Sequence, residues 1–192
     1  MRQLAFAIAV SSIFTLGASE QLGEGAIGSK VRVLIYEDLQ CPDCADFRKV
    51  LDDRLLPKYQ GKVAFEHRDF PLAKHAWARK AAIAARFVAA TKPDLAVDFR
   101  QYLMGRQIEI NADNFNSVLE RYAKEHGINP AKAIAALDDK QLAAAVQQDF
   151  EEGVARGIAH TPTVLVNGAP FVEHFTYEEV AKAIDSELAA LK

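Results

Sequence analysis

The sequence predicts an α/β fold in which a βαβ unit and a ββα unit are separated by a block of helices. Three observations predict it. Short β-branched runs occur at 31–36 and 163–166, apolar residues from 74 to 156 repeat only with helical spacing, and a capping sequence opens a last helix at Thr176. Because 192 residues suffice for one substantial core but not for two ordinary ones, we expect one domain with an insertion.

The first half of the sheet is assigned to residues 29–73. Val31–Tyr36 is a nearly continuous apolar run that stops after about six residues, which is typical of a buried strand. Apolar residues then recur at helical spacing over Cys44–Tyr59, and 63–67 alternate as a second strand. A strand, a helix and a strand in this order predict two parallel strands with the helix packed across them.

Residues 74–138 are predicted to form a helical insertion, since narrow apolar stripes recur there without any strand pattern. An all-helical second domain is the competing interpretation. Residues 139–192 are expected to return to the sheet domain, beginning with an alanine-rich helix predicted over Asp138–Arg156.

The predicted C-terminal ββα unit begins with Thr163–Val166. This run leads into Asn167-Gly168, the strongest short signal for a hairpin. Pro170 cannot donate to a strand ladder, so we expect the returning strand at a sheet edge. Thr176 and Glu179 then form a capping box that opens the last helix.

Residues 1–19 have the features of a secretory signal peptide. Arg2 supplies one positive charge, Leu4–Leu16 is apolar but short for a membrane span, and Gly17–Ser19 offers small residues for cleavage. A retained apolar helix is the alternative, and the lack of a cysteine before Cys41 argues against a lipid anchor. We therefore predict a soluble periplasmic or secreted protein. The formal net charge of −3, with both signs scattered, gives no indication of a nucleic-acid partner.

The two cysteines stand in the motif Cys41-Pro42-Asp43-Cys44, between the first predicted strand and its helix. A thiolate at a helix N-terminus is stabilised by unpaired N–H groups, so we predict Cys41 as the nucleophile. Cys44, one turn further on, is placed to resolve a mixed disulfide. A structural disulfide over four residues would contribute only roughly 2 kcal/mol, and the five histidines lack the spacing of zinc ligands. We predict redox chemistry with no cofactor and no metal.

Three segments of the chain together carry a family resemblance. They are the Cys-Pro-Asp-Cys motif after Val33–Tyr36, the stretch Arg68–Leu72 before an alanine-rich helix, and Thr161-Pro162-Thr163 before a strand that ends at Asn167-Gly168. In this order they resemble the DsbA-like thiol-disulfide oxidoreductases of the thioredoxin superfamily, over nearly all of 29–191. The resemblance implies a thioredoxin fold with an inserted helical subdomain. It also implies that Pro162 is a cis-proline facing the active-site disulfide.

The same resemblance implies where substrate binds and where this chain departs from its relatives. Backbone groups of Thr161 are expected to pair with an extended substrate and to hold its cysteine near Cys41. Many relatives carry an acid six positions before the first cysteine, where this chain has Ile35. Glu37 or Asp38 would then have to relay protons to the buried thiol, unless both are ordinary acids at the end of a strand.

The second departure is Asp43, which replaces the histidine of the strongly oxidising relatives. At about 6 Å from the sulfur, a carboxylate would lower the reduction potential by roughly 15 to 60 mV. His160 would offset part of this if it lies near the sulfur and is protonated.

These observations predict an enzyme that exchanges a Cys41–Cys44 disulfide with cysteines of exported polypeptides, acting as an oxidase. A membrane-bound or soluble redox partner would then reset the disulfide. One alternative is a reductase or isomerase that runs the same chemistry in reverse. Another is a non-catalytic module on the same scaffold that holds a soft ion such as copper(I) between Cys41, Cys44 and His160.

Overall fold

The computed structural model describes residues 22–191, which form a five-stranded sheet covered by helices. The predicted signal peptide lies outside the described residues. Strands lie in the order β1-β3-β2-β4-β5, and only β2 and β3 run parallel among the described neighbours, as predicted. The strands are β1 Gly23–Gly25, β2 Arg32–Glu37, β3 Ala64–Asp69, β4 Thr163–Val166 and β5 Ala169–Val172.

Helices fill the connections between the strands. They are α1 Pro42–Val50, α2 Leu56–Lys58, α3 Ala78–Thr91, α4 Ala96–Met104, α5 Phe115–Glu125, α6 Pro130–Ala135, α7 Lys140–Ala155 and α8 Tyr177–Ala190. A π-helical segment, Leu51–Leu55, joins α1 to α2, and 3-10 turns cover Pro93–Leu95 and Ala136–Asp138. Within the described part of the chain, no helix is both long and apolar enough to cross a membrane.

The central strand β2 is buried on both faces, which explains its nearly continuous apolar sequence. Val33 and Ile35 point to one face, where they pack with residues of α1 and α8. Leu34 and Tyr36 point to the other face and share a cluster with Phe150 of α7. The sheet therefore lies between α1 and α8 on one side and α7 on the other.

Helix α7 approaches the sheet closely because Gly153 has no side chain. A Cβ atom at this position would lie 2.7 Å from the ring of Phe70 and 3.0 Å from that of Tyr36. Glycine is required here by the packing distance between α7 and the sheet.

Helices α3 to α6 form the helical insertion and have a core of their own. Its large buried side chains include Trp77, Phe99, Phe115 and Tyr122. The same cluster includes Leu39, Cys41 and Cys44. The active-site motif therefore lies at the junction between the sheet domain and the helical insertion.

Most predicted elements are confirmed, with two corrections at the N-terminal end of the fold. The first helix begins at Pro42 and not at Cys44, because proline suits the first helical turn and Cys41 takes the capping position. Strand β1, which pairs antiparallel with β3, was not predicted. It is only three residues long and contains two glycines, so it has no apolar alternation to reveal it.

The C-terminal unit follows its sequence signals closely. Strands β4 and β5 are antiparallel and joined at Asn167-Gly168, which both have positive φ. Pro170 lies in β5 at the sheet edge, as predicted. The capping box of Thr176 and Glu179 is formed at the start of α8.

Candidate active site around Cys41 and Cys44

Cys41 lies at the capping position of α1, immediately after a tight turn that follows β2. The turn, Asp38–Cys41, is closed by a hydrogen bond from the Cys41 N–H to the Asp38 carbonyl at 3.0 Å. The Asp38 carboxylate also accepts from the N–H of Gln40 at 2.8 Å. We call this segment the active-site turn. It places the Cys41 sulfur where the free N–H groups of the first helical turn can reach it.

The two sulfurs have opposite electrostatic environments. A hydrogen bond from the Cys44 thiol has the largest effect on the pKa of Cys41 and lowers it. Burial raises this pKa, but hydrogen bonds from the backbone N–H groups of Cys44 and Asp43 lower it further. The pKa of Cys41 is therefore about 6. Burial raises the pKa of Cys44 well above its ordinary value, and the neighbouring Cys41 raises it further. At neutral pH the charge therefore resides on Cys41, and Cys44 keeps its proton.

The loop before β4 faces the first cysteine from the opposite side. The Thr161–Pro162 peptide bond is cis, as the resemblance implies. When it is protonated, the Cys41 thiol donates to the Thr161 carbonyl at 3.3 Å, across 120 residues of sequence. Thr161 is 1% exposed, so the main chain of this loop packs directly against the reactive sulfur.

Cys44 is held deeper in the protein, where it is 1% exposed. The N–H of Asp38 donates to its sulfur at 3.4 Å. The carboxylate of Asp38 is buried and accepts from the N–H of Leu72 at 2.8 Å and from Nδ1 of His75 at 2.7 Å. Asp38 thus connects the second sulfur to a histidine that is partly open to solvent.

Glu37 lies at the end of β2 within a buried set of charges. Its Oε1 accepts from Nδ1 of His67 and from the Arg100 guanidinium, both at 2.9 Å. Burial raises the pKa of Glu37, but His67 and Arg100 outweigh it and lower the pKa to about 2. His67 also meets Glu24 through Nε2 at 2.8 Å, and Glu24 pairs with Arg48 of α1. Since both ring nitrogens face carboxylates, His67 is held as an imidazolium.

A second group of charges extends this network to α3 and α7. The Asp69 carboxylate at the end of β3 accepts from Arg100 at 2.7 Å and from Arg86 at 2.7 Å. Arg86 also pairs with Asp149 of α7, which accepts from the N–H of Asp69 at 2.9 Å. Buried ion pairs therefore join the helical insertion to the ends of β2 and β3 directly behind the active-site turn.

The predicted tuning residues take different positions. Ile35 is fully buried in the sheet core, and Glu37, at the end of β2, and Asp38, directly after it, are buried as well. Asp43 is exposed on the first turn of α1. His160 is exposed and directs Nδ1 to Glu173 at 3.2 Å. The structure therefore places Glu37 and Asp38 next to the motif, while the His160 ring pairs elsewhere.

A groove of about 160 Å³ runs beside Pro162 between α1 and the segment that leads into α8. Its floor is apolar, with Phe47 and Phe175 packed edge to face at 5.3 Å between ring centroids. Its lining includes three acids, namely Asp43, Asp46 and Glu173, of which Asp46 pairs with Lys49 and Glu173 with His160. Asp43 of the motif and Pro162 of the cis peptide bond both line this groove.

Among residues 22–191, no three side chains of His, Cys, Asp or Glu are grouped so that they could hold a metal ion. The trio of Cys41, Cys44 and His160 considered for copper is therefore not brought together in the described structure.

Sequence reasoning missed several residues around the site. Glu24, Arg48 and Arg100 complete the charge network, and Gln107 of the helical insertion donates to the active-site turn. Buried charged residues carry no local sequence signal that separates them from surface ones. His67 offered the nearest hint, because a histidine at an inward position of a strand needs a partner.

Comparison with known proteins identifies relatives of this fold. A sequence model described as Thioredoxin matches residues 19–186. No curated protein matches the chain. The solved structure of oxidised BdbD from Bacillus subtilis is 26% identical to this chain and superimposes with a TM-score of 0.79, covering 88% of this chain and 93% of BdbD.

Two further solved structures are similar to this chain. The structure of Wolbachia pipientis alpha-DsbA1 is 18% identical, with a TM-score of 0.77 and coverage of 89% of this chain and 92% of its own. MdbA of Corynebacterium diphtheriae, described as a thiol-disulfide oxidoreductase, is 20% identical, with a TM-score of 0.72 and coverage of 87% and 90%. At these identities the two structures show the shared fold, which is the predicted thioredoxin fold with a helical insertion.

Proposed function

The chain belongs to the thioredoxin family, and we propose that it is a thiol-disulfide oxidoreductase of the DsbA type that acts as an oxidase of exported polypeptides. The observation that carries the proposal is the contrast between its two sulfurs. Cys41 has a pKa lowered to about 6, whereas the pKa of Cys44 is raised. A disulfide whose first sulfur is a stable anion when released is easily reduced and therefore oxidises other thiols.

The reaction consists of two exchanges. A substrate thiolate attacks Cys41, the Cys41–Cys44 bond breaks, and the electron pair goes to the Cys44 sulfur, which takes up a proton. A second substrate thiolate then attacks the substrate sulfur of the mixed disulfide. This step forms the substrate disulfide and releases Cys41 as a thiolate. The enzyme gains two electrons and the substrate loses two.

The proposed roles of the remaining residues follow from their positions. The carbonyl oxygen of Thr161 lies 3.3 Å from the Cys41 sulfur. This position suits a backbone site that pairs with an extended substrate and holds its cysteine near Cys41. Pro162 adjoins this site and lines the groove. Asp38 is the better placed acid for proton delivery to Cys44, because its N–H contacts that sulfur and its carboxylate contacts His75. Glu37 would act on Cys44 through its charge.

We assign the protein to the periplasm or the extracellular space, where a partner that accepts electrons would restore the disulfide. The leader-like sequence of residues 1–19 supports this assignment. Such compartments are oxidising, so a donated disulfide persists in the substrate.

The test uses the two cysteines as matched variants. Oxidised wild-type protein should convert a dithiol peptide to its disulfide in a one-to-one ratio, as measured by mass spectrometry. Cys41→Ala should show no exchange in either direction. Cys44→Ala, incubated with a disulfide-bonded peptide, should accumulate a mixed disulfide at Cys41. Full exchange by the Cys41→Ala protein would exclude this mechanism, and a reduction potential as low as that of thioredoxin, about −270 mV, would favour a reductase.

A further inference from the structure

One side chain of the helical insertion donates hydrogen bonds to the backbone of the active-site turn. Nε2 of Gln107, in the segment between α4 and α5, donates to the carbonyl oxygens of Leu39 and Cys41, each at 2.9 Å. These two carbonyls bracket Gln40 in the turn that delivers Cys41 to its capping position. Gln107 lies 66 residues from Cys41 in sequence, so the contact depends entirely on how the insertion docks.

The chemistry of this contact demands a donor with two hydrogens. Carbonyl oxygens only accept hydrogen bonds, and the amide nitrogen of glutamine carries two N–H groups. Both are used here. The Cys41 carbonyl also accepts the first helical hydrogen bond, from the N–H of Ala45 at 3.2 Å. Gln107 therefore donates to the same peptide group whose orientation sets the direction of the Cys41 side chain relative to α1.

Other contacts show that the insertion as a whole is fastened to this turn. Arg100 of α4 pairs with Glu37 behind the turn. The N–H of Trp77, at the start of α3, donates to the side-chain oxygen of Gln40 at 2.8 Å. Gln107 is the insertion residue that donates a hydrogen bond to Cys41 itself.

We propose that Gln107 is a positioning residue for the nucleophile, holding the Leu39–Cys41 backbone so that the Cys41 sulfur meets the N–H groups of the first turn of α1. This inference builds on the proposed function, because it assigns the insertion a part in activating the same sulfur. It makes the helical insertion a component of the reactive centre as well as a cover for Cys44.

The test compares two glutamines of the insertion. Gln107→Met keeps the length of the side chain and removes both donors. Gln101→Met is the matched control, because Nε2 of Gln101 also joins the insertion to the sheet domain, by donating to Asp52 at 2.9 Å, but contacts no residue of the turn. Each reduced variant is alkylated with iodoacetamide from pH 4 to pH 10, and the rate at which Cys41 reacts gives its acid dissociation constant.

We expect Gln107→Met to lower the acid dissociation constant of Cys41 by about 3- to 10-fold. This range corresponds to the loss of one or two neutral hydrogen bonds that orient the Cys41 backbone. Gln101→Met should leave it unchanged. Gln107→Arg, which restores N–H donors at this position, should recover most of the wild-type value. A wild-type titration of Cys41 in the Gln107→Met protein would overturn the proposal, and so would equal shifts in both methionine variants.

These outcomes separate the inference from the proposed function. Alkylation needs no protein substrate, so the titration reports on Gln107 even if the protein proves to be a reductase. Loss of exchange in Cys41→Ala with an unchanged titration in Gln107→Met would retain the proposed function and reject the positioning role.

Discussion

The most informative perturbation is replacement of Cys44, because its thiol is the largest influence that lowers the pKa of Cys41. Cys44→Ala removes this donor and leaves the N–H groups of Asp43 and Cys44 in place. Cys44→Ser is the matched control, since a hydroxyl of similar size can still donate to the thiolate.

The magnitude follows from the strength of a hydrogen bond to a charged acceptor. Such bonds contribute about 1.5 to 3 kcal/mol, and a thiol donor lies at the weak end. The loss corresponds to a rise of about one pH unit in the pKa of Cys41. From about 6, the titration should move towards neutrality and remain below the ordinary value of 9.0, because the backbone donors persist.

The assay is the pH dependence of iodoacetamide alkylation, which in both variants reports on a single cysteine. The serine variant should titrate close to the wild-type value. Thermal unfolding of each variant shows whether the cavity left by alanine has disturbed the fold. Indistinguishable titrations of the alanine and serine variants would refute the assignment of the Cys44 thiol as a donor.

Three further predictions concern the surroundings of the motif. Asp43→His should raise the reduction potential, measured against glutathione, by roughly 15 to 60 mV or more, because it removes the negative charge beside Cys41. An unchanged or lower potential would contradict this electrostatic effect of Asp43. Glu37 has a pKa of about 2 in the folded protein and near 4.5 when unfolded. Its ionised form therefore contributes roughly 3 kcal/mol to the free energy of unfolding above pH 4.5, and this contribution is lost as the pH falls towards 2. Glu37→Gln should remove this dependence, so that the melting temperature changes less with pH between 4.5 and 2. A peptide with lysine beside its cysteine should react about 3- to 5-fold faster than its glutamate counterpart at low salt, since acids line the groove, and equal rates would contradict this.

The sequence predicted the parts of the fold that depend on local pattern. The short continuous apolar run of β2, the Asn167-Gly168 turn and the capping box at Thr176 are each recognisable within a few residues of sequence. The position of Cys41 at a helix N-terminus is of the same kind. For these elements, the interactions that decide the structure are adjacent in the chain.

The charge network could not be predicted, because its members are brought together only by tertiary structure. Glu24 precedes His67 by 43 residues, and Arg100 follows Glu37 by 63. Nothing near Arg100 distinguishes it from an exposed helical arginine. The pairing of His160 with Glu173 was not predicted either. Glu173 has a positive φ and its N–H donates to the Pro162 carbonyl, and both features depend on the tertiary structure.

The docking of Glu24 limits how the N-terminus of an exported form can be trimmed. This carboxylate neutralises Arg48 and His67, both buried cations, from a strand of only three residues. A peptidase that cut beyond Glu24 would remove one of the two carboxylates that each cation contacts, leaving His67 with Glu37 and Arg48 with Asp52, at a cost of about 1.5 to 3 kcal/mol. If the chain is exported and trimmed, we expect trimming to end upstream of Gly23, and a product with a shorter start to melt at a lower temperature.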